Sequence, residues 1–358
     1  MKGLLLQRLS LVVSPEPGNP NEVEGILNPG ATRGPDGRLY LFPRIVAKGN
    51  YSRIGISRVQ FDLAGDPCAI ENLGIALEPE AEYELKPGGG GCEDARVTFV
   101  EPLGHYVMTY TANSHKGPRI ALAVSKDLLH WDRLGLVTFE PYGDIEFQGV
   151  DNKDGSVFPV AIPDPAGRPA LALLHRPLFP GTRPEEKVMR PSSEPIDVHR
   201  ECIWISYRDM ALRSHTAHHL CHFTSHRRLA VPVAAWERLK IGSGPPPILT
   251  RHGWLVIYHG VGRSRKTSTD GRRMIYSAGA MILSLENPLN ILYRSPKPIL
   301  KPESRDEICG EVTDVVFPTG IDCRDDLGMS KRLDVYYGMA DDRIGVARLD
   351  LPDLLPGS

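Results

Sequence analysis

Runs of apolar and β-branched residues, five to seven positions long, recur along the chain at 38–42, 105–111, 170–174, 254–258 and 333–337. Turn-forming residues bound each run, which marks a strand and not a helix. A second run follows each one after a loop, at 52–59, 119–125, 202–207, 276–283 and 343–349. The 35 glycines and 32 prolines leave few uninterrupted windows long enough for three helical turns. The pattern predicts an all-β chain of strand pairs, each pair lying inside a small antiparallel sheet. Successive pairs start roughly 60 to 80 residues apart, longer than the repeat of about 40 to 50 usual in propeller families. Five fit the chain, and four-stranded units repeated in this way commonly arrange radially around a central channel. The expected fold is a five-bladed β-propeller, with residues 1–20 as an N-terminal extension packing on it and residues 21–358 as one domain.

Two stretches break the rhythm. Residues 177–200 are rich in proline and charge and read as a surface excursion between strands. Residues 262–273 read as a polar insertion carrying Arg263, Arg265, Lys266, Arg272 and Arg273. Such a run is a solvated loop or a lid over an anionic ligand.

Composition narrows the partners. The 42 basic and 44 acidic side chains nearly cancel, so no global field draws the chain to nucleic acid or to an anionic membrane, and any anion site must be local. Gln7 and Arg8 interrupt the leucines at the N-terminus well short of a signal-peptide core, and no apolar run has transmembrane length. The six cysteines are scattered without CxxC pairs, as expected of free thiols in a cytoplasmic protein.

Polar clusters stand beside the predicted strands: Asn28-Pro29-Gly30, Glu93-Asp94-Ala95-Arg96, Asn152-Lys153-Asp154, His175-Arg176, Lys240-Ile241-Gly242-Ser243-Gly244 and Tyr258-His259-Gly260. A Glu-Asp-x-Arg tetrad alone is most simply a turn with a local ion pair. Six clusters spread over the units are what convergence on one channel produces. In this order, together with Val315-Val316-Phe317-Pro318-Thr319-Gly320 and Tyr337-Gly338-Met339-Ala340-Asp341, they resemble glycoside hydrolase family 130, the β-mannoside phosphorylases and β-1,2-mannosidases. The resemblance runs from about Asn28 to Asp341, and the family fold is likewise a five-bladed β-propeller.

The resemblance implies an inverting β-mannoside phosphorylase, a glycosyltransferase-type enzyme that uses inorganic phosphate as co-substrate, needs no cofactor and yields α-mannose 1-phosphate. Asp94 is then the sole catalytic acid, protonating the glycosidic oxygen through the mannosyl 3-hydroxyl. Ala95 stands where the family motif has proline. Implied substrate contacts are Asn28, Arg44, Arg53, Lys153 and Asp341, with Glu93, Arg96 and Asp154 of the same motifs. A carboxylic acid that keeps its proton near neutrality needs burial or a second carboxylate. Glu93 need not supply it, because neighbours on a strand point to opposite faces.

A phosphorylase replaces the usual second carboxylate, the base that activates water, with a cationic pocket for its anionic nucleophile. The resemblance places that pocket at Arg176, Lys240, His259 and Tyr276, with Arg208 as a further arginine. Mannosidases of the family carry glutamates at these places, and the sequence shows no such swap. The alternatives are a β-1,2-mannosidase of the same fold, a family 43-like hydrolase with three separate acids, and a non-catalytic glycan-binding propeller. His215, His218, His219 and His222 have i, i+4 spacings that could hold zinc on a helix, yet the HExxH signature is absent and the chemistry needs no metal. No metal is expected, and a homo-oligomer is left open.

Overall fold

The computed structural model describes residues 3–179, 201–210, 217–268, 271–328 and 331–355. Twenty strands form five antiparallel units in chain order. The N-terminal strand β1 (Gln7–Val13) precedes a unit of β2 (Gly25–Arg33), β3 (Leu39–Ala47), β4 (Tyr51–Phe61) and β5 (Pro67–Leu77). The second comprises β6 (Gly89–Val100), β7 (His105–Ser114), β8 (Gly117–Ser125) and β9 (Asp132–Leu136). The third comprises β10 (Asp151–Val157), β11 (Pro169–Leu178), β12 (Ile203–Asp209) and β13 (Ser225–Ala230). The fourth is β14 (Lys240–Ser243), β15 (Gly253–Ser268), β16 (Gly271–Leu283) and β17 (Ile291–Arg294). The fifth is β18 (Val316–Cys323), β19 (Arg332–Met339) and β20 (Arg343–Asp350), and β1 pairs with β20 as its fourth strand. Shorter strands decorate these units, and a parallel contact of Tyr51 and Ser52 with Gly90 and Gly91 joins the first two into one sheet. Among the described residues the only α-helical segment is Arg305–Ile308.

Among the described residues the core is divided. Five apolar clusters lie one between each pair of neighbouring units, including the last and the first. Alternate residues of one strand enter different cores. Tyr40 and Phe42 pack toward the second unit while Leu39 and Leu41 pack toward the fifth. Trp254, Val256 and Tyr258 face the third unit while Leu255 and Ile257 face the fifth. A strand buried on both faces reads as a continuous apolar run, which is why the ten runs seen in the sequence are the two interior strands of each unit.

The first strands read differently. Each of β2, β6 and β10 carries a register shift, at Leu27/Gly30, Glu93/Arg96 and Lys153/Ser156. Their glycine, asparagine and aspartate content looks like loop in the sequence, yet they are strands. They also face one another: β2 contacts β6 and β18, and β10 contacts β6 and β14. The clusters they carry therefore meet.

Two expectations about excursions change. The described part of residues 262–273 is strand and not loop: β15 and β16 pair at Gly262↔Ile275 and Arg263↔Met274 and again, after a register shift, at Thr267↔Arg272 and Ser268↔Gly271. Ladder bonds are made by the backbone and do not register the charge of the side chains. The stretch at 177–200 begins inside β11, where Pro177 pairs with Asn152, and residues 180–200 lie outside the described part.

Candidate active site

Asn28, Asp94 and Asp154 stand at the three register shifts with φ of 44°, 50° and 58°, and Asp341 follows β19 with φ of 51°. This left-handed conformation is uncommon outside glycine and best tolerated by Asn and Asp. A bulge of this kind interrupts the pleat and re-aims a side chain. Its effect is plainest at Glu93 and Asp94, which do not point apart as strand alternation would have them. Arg44 spans both, Nη2 lying 3.3 Å from Glu93 Oε1 and Nη1 3.4 Å from Asp94 Oδ1. Asn28 Nδ2 donates to the same Asp94 oxygen at 2.9 Å.

Arg44 and Glu93 line a cavity of about 360 Å³ together with Asn113, Lys153, Glu311 and Asp341, and Asn28 and Asp94 stand behind that lining through Arg44. Asn113 donates to Glu93 Oε1 at 2.8 Å, and Lys153 Nζ lies 3.4 Å from Oε2. Burial would raise the Glu93 carboxyl, but Arg44 and Lys153 outweigh it and hold the group at about 2. Asp341 behaves oppositely. Burial, with the nearby charges of Asp94 and Glu93 against those of Arg44 and Lys153, pushes its carboxyl up to about 6.

A second cluster adjoins the first through Arg96. That guanidinium, 1% exposed, donates to the Asp94 main-chain carbonyl at 2.7 Å and to Asp154 Oδ1 at 3.4 Å. It also reaches the carbonyls of Gly244 and Ser243. Arg176 Nε donates to Asp154 Oδ2 at 2.5 Å, and His259 Nε2 lies 3.7 Å from the same oxygen. Tyr276 stacks near His259, their centroids 6.2 Å apart, and Lys240 Nζ sits 5.5 Å from the Tyr276 ring centre. His259 is wholly buried, and neither ring nitrogen has a hydrogen-bond partner among the described residues. Burial, reinforced by Arg176, Lys240 and Arg96 and opposed by Asp154, pushes it down to about 3. At neutral pH it is a neutral ring with one donor and one acceptor to offer.

The structure thus brings Asn28, Arg44, Glu93, Asp94, Lys153 and Asp341 together, and beside them Arg176, Lys240, His259 and Tyr276. Arg96 and Asp154 join the two groups from within, both buried and bonded to protein. Arg53 does not reach Asp94. Arg44 bonds Ser52 on one face of β4, whereas Arg53, one residue on, leaves by the other. There it grips Glu78 at 2.7 and 2.8 Å and reaches Asn21 at 3.1 Å. Arg208 is likewise remote. It pairs with Leu171, five residues and about 17 Å along the strand from Arg176.

Several residues were not anticipated. Glu201, buried just before β12, takes a hydrogen bond from Arg176 Nη1. Glu24 accepts from the main-chain nitrogens of Gly49 and Asn50, each at 2.7 Å, and Asn50 Oδ1 accepts from Arg44 at 2.7 Å. The Gly49-Asn50 turn was a legible signal for the latter, while nothing local marks Glu24 or Glu201. Of the histidine cluster, His215 lies outside the described residues. Ala217–Cys221 is a short 3₁₀ turn and His222 begins a strand, so no α-helical face joins residues 218 and 222. Among the described residues no group of three His, Cys, Asp or Glu side chains could hold a metal.

The family profile of glycoside hydrolase family 130, described as beta-1,4-mannooligosaccharide phosphorylase, matches residues 6–356. A 1,2-beta-oligomannan phosphorylase of Thermoanaerobacter sp. (strain X514) is 31% identical over 358 residues, covering 98% of either chain. The structure of a Listeria innocua beta-1,2-mannobiose phosphorylase with its disaccharide superposes with a TM-score of 0.70 at 23% identity, covering 97% of each. A structure described with the family's hydrolases of beta-1,2 mannosidic linkages in Candida mannan also scores 0.70, at 21% identity over 99% of this chain and 96% of that one.

Proposed function

Since the chain belongs to glycoside hydrolase family 130, we propose that it is an inverting β-mannoside phosphorylase and that its five units are the blades of a β-propeller with β2, β6, β10, β14 and β18 innermost. The observation that carries the reaction type is the buried His259 beside Lys240, Tyr276 and Arg176, with both ring nitrogens unpartnered among the described residues. A wholly buried imidazole with nothing to bond is costly unless a ligand completes it. A phosphate, with acceptor oxygens and a proton to donate, suits a neutral ring.

In this reading the mannosyl unit enters the cavity lined by Arg44, Glu93, Lys153 and Asp341. Asp94 gives its proton to the glycosidic oxygen by way of the mannosyl 3-hydroxyl as the bond to the anomeric carbon breaks. A phosphate oxygen forms the new bond from the opposite face, so the β-mannoside becomes α-mannose 1-phosphate. No cofactor enters the scheme. A reducing cytoplasm suits six cysteines that are all free thiols.

Hydrolysis is the second reading, favoured by one observation: a carboxylate, Glu201, stands at Arg176 within the basic set. The test is to incubate the enzyme with β-1,2- and β-1,4-mannosides with and without phosphate. Phosphate-dependent release of mannose 1-phosphate is expected. Free mannose released at the same rate without phosphate would overturn the proposal in favour of the hydrolase. Offering mannose 1-phosphate with a panel of sugar acceptors then identifies the linkage.

A further inference from the structure

Arg176 is held by two carboxylates at once. Asp154 takes its Nε and Glu201 its Nη1, and all three side chains are nearly buried. Glu201 is fixed to the neighbouring unit by its main-chain carbonyl, which accepts from the nitrogen of Ile241 at 3.2 Å, one residue from Lys240. Its carboxylate meets the basic set at Arg176 Nη1.

The charges have a consequence for any dianion. Asp154 is shared between Arg96 and Arg176, Glu201 rests on Arg176 alone among the described residues, and His259 is a neutral ring. A phosphate added beside Arg176 would meet the like charge of Glu201 in a buried place, where such a charge costs most. An arginine grips phosphate with two parallel N–H bonds, and Glu201 already takes one Nη donor. The two carboxylates differ in how firmly they are held. Asp154 is also bonded by Arg96, and Ser243 Oγ donates to its main-chain carbonyl.

We propose, resting on the reading of this set as the phosphate site, that the Glu201 carboxylate is an internal competitor of phosphate: it occupies Arg176 in the empty enzyme and leaves the guanidinium when phosphate binds. Glu201 is then a specificity-determining residue that sets how much phosphate the enzyme needs, while taking no part in bond breaking. Asp154 remains on Arg176 in both states and keeps its orientation.

The experiment compares wild type with Glu201→Gln, measuring KM for phosphate, KM for the mannoside and kcat, with phosphate titrated calorimetrically into each protein. The glutamine keeps the shape and removes the charge. KM and Kd for phosphate are expected to fall at least tenfold while KM for the mannoside stays within twofold. An unchanged or weakened phosphate affinity in a folded variant overturns the proposal, since Glu201 would then be a strut for Arg176. If Glu201→Gln does not fold, Glu201→Asp keeps the charge but withdraws it from Arg176, and the same fall in phosphate KM is required. Failure of the phosphate site itself has a different signature: neither protein binds phosphate, and mannoside cleavage is independent of it.

Discussion

Asn28 donates its side-chain amide to Asp94 Oδ1 over 2.9 Å, across 66 residues of sequence and between two bulges of the same left-handed kind. Arg44 addresses the same oxygen. Among the described residues no hydrogen bond falls on Oδ2, so in the proposed mechanism Oδ2 is the oxygen that faces the mannosyl hydroxyl. The carboxyl is thereby oriented by its neighbours before any substrate arrives.

Asp94→Asn should lower kcat by about 10³, within the range of general-acid contributions. The fold should survive, because asparagine accepts a φ of 50°. Steady-state rates and a thermal melt check both. With a nitrophenyl mannoside, whose leaving group needs no proton, the loss should shrink to about tenfold or less. Equal losses on both substrates would remove Asp94 from the acid role.

Gly338→Ala should disturb the acid from behind. A Cβ at residue 338 would lie 1.9 Å from Asn28 Oδ1, a distance no pair of atoms tolerates, so the amide must move off Asp94. Overpacking of this kind costs about 1–3 kcal/mol. A lower melting temperature together with a tenfold or greater loss of kcat is expected. A variant that melts lower but keeps full kcat would show that the Asn28 contact does not matter to the reaction.

Asp341 makes stability depend on pH. Burial raises its carboxyl from the ordinary 3.8 to about 6, so the penalty for its charge is absent below pH 4 and complete once pH has risen through 6. A shift of this size corresponds to about 3 kcal/mol. Asp341→Asn should therefore melt higher than wild type at pH 7–8 and gain nothing at pH 4. Glu93, held at about 2, contributes stability that is lost only as pH falls toward that value. Asp322, also raised to about 6, titrates in both proteins and cancels in the comparison. Melting curves from pH 4 to 8 decide it, and a constant difference between the proteins would refute the assignment.

The two arginines of the first unit should separate cleanly. Arg44→Ala removes the cation that spans Glu93 and Asp94, leaving Glu93 to Lys153 and Asp94 to the Asn28 amide, and should cost at least about a hundredfold in kcat/KM, the equivalent of a few kcal/mol. Arg53→Ala removes a grip on Glu78 at the far face of β4 and should change kcat/KM less than about threefold. Glu24→Ala, which frees the turn holding Asn50 against Arg44, should fall between them, with the phosphate KM little altered. If Arg53 proves as sensitive as Arg44, Arg53 turns to the substrate after all and its grip on Glu78 is not its role.

Much of this was legible beforehand for one reason. Interior strands such as 254–258 are buried on both faces, so every residue is apolar and the run stands out. The first strands did not stand out, because Asn28-Pro29-Gly30 and Glu93-Asp94-Ala95-Arg96 bulge where they carry function, and bulges look like turns. The hairpin at 262–273 was hidden by its charges, which say where side chains are comfortable and little about backbone pairing. Arg53 and Arg208 were placed with the site by motif order, and strand face and register separate them from it.

By itself the sequence determined the all-β rhythm, the family, and the residue types available for acid and anion chemistry, because these reside in composition, spacing and ordered motifs. Only the tertiary structure decided which groups act on one another: that Arg44 joins Glu93 to Asp94, that Arg96 bonds Asp154, and that Glu201 sits on Arg176. Such pairings depend on bulges and on register between sheets far apart in the chain. A shift of one residue sends a side chain to the opposite face, and no local pattern records which way it went.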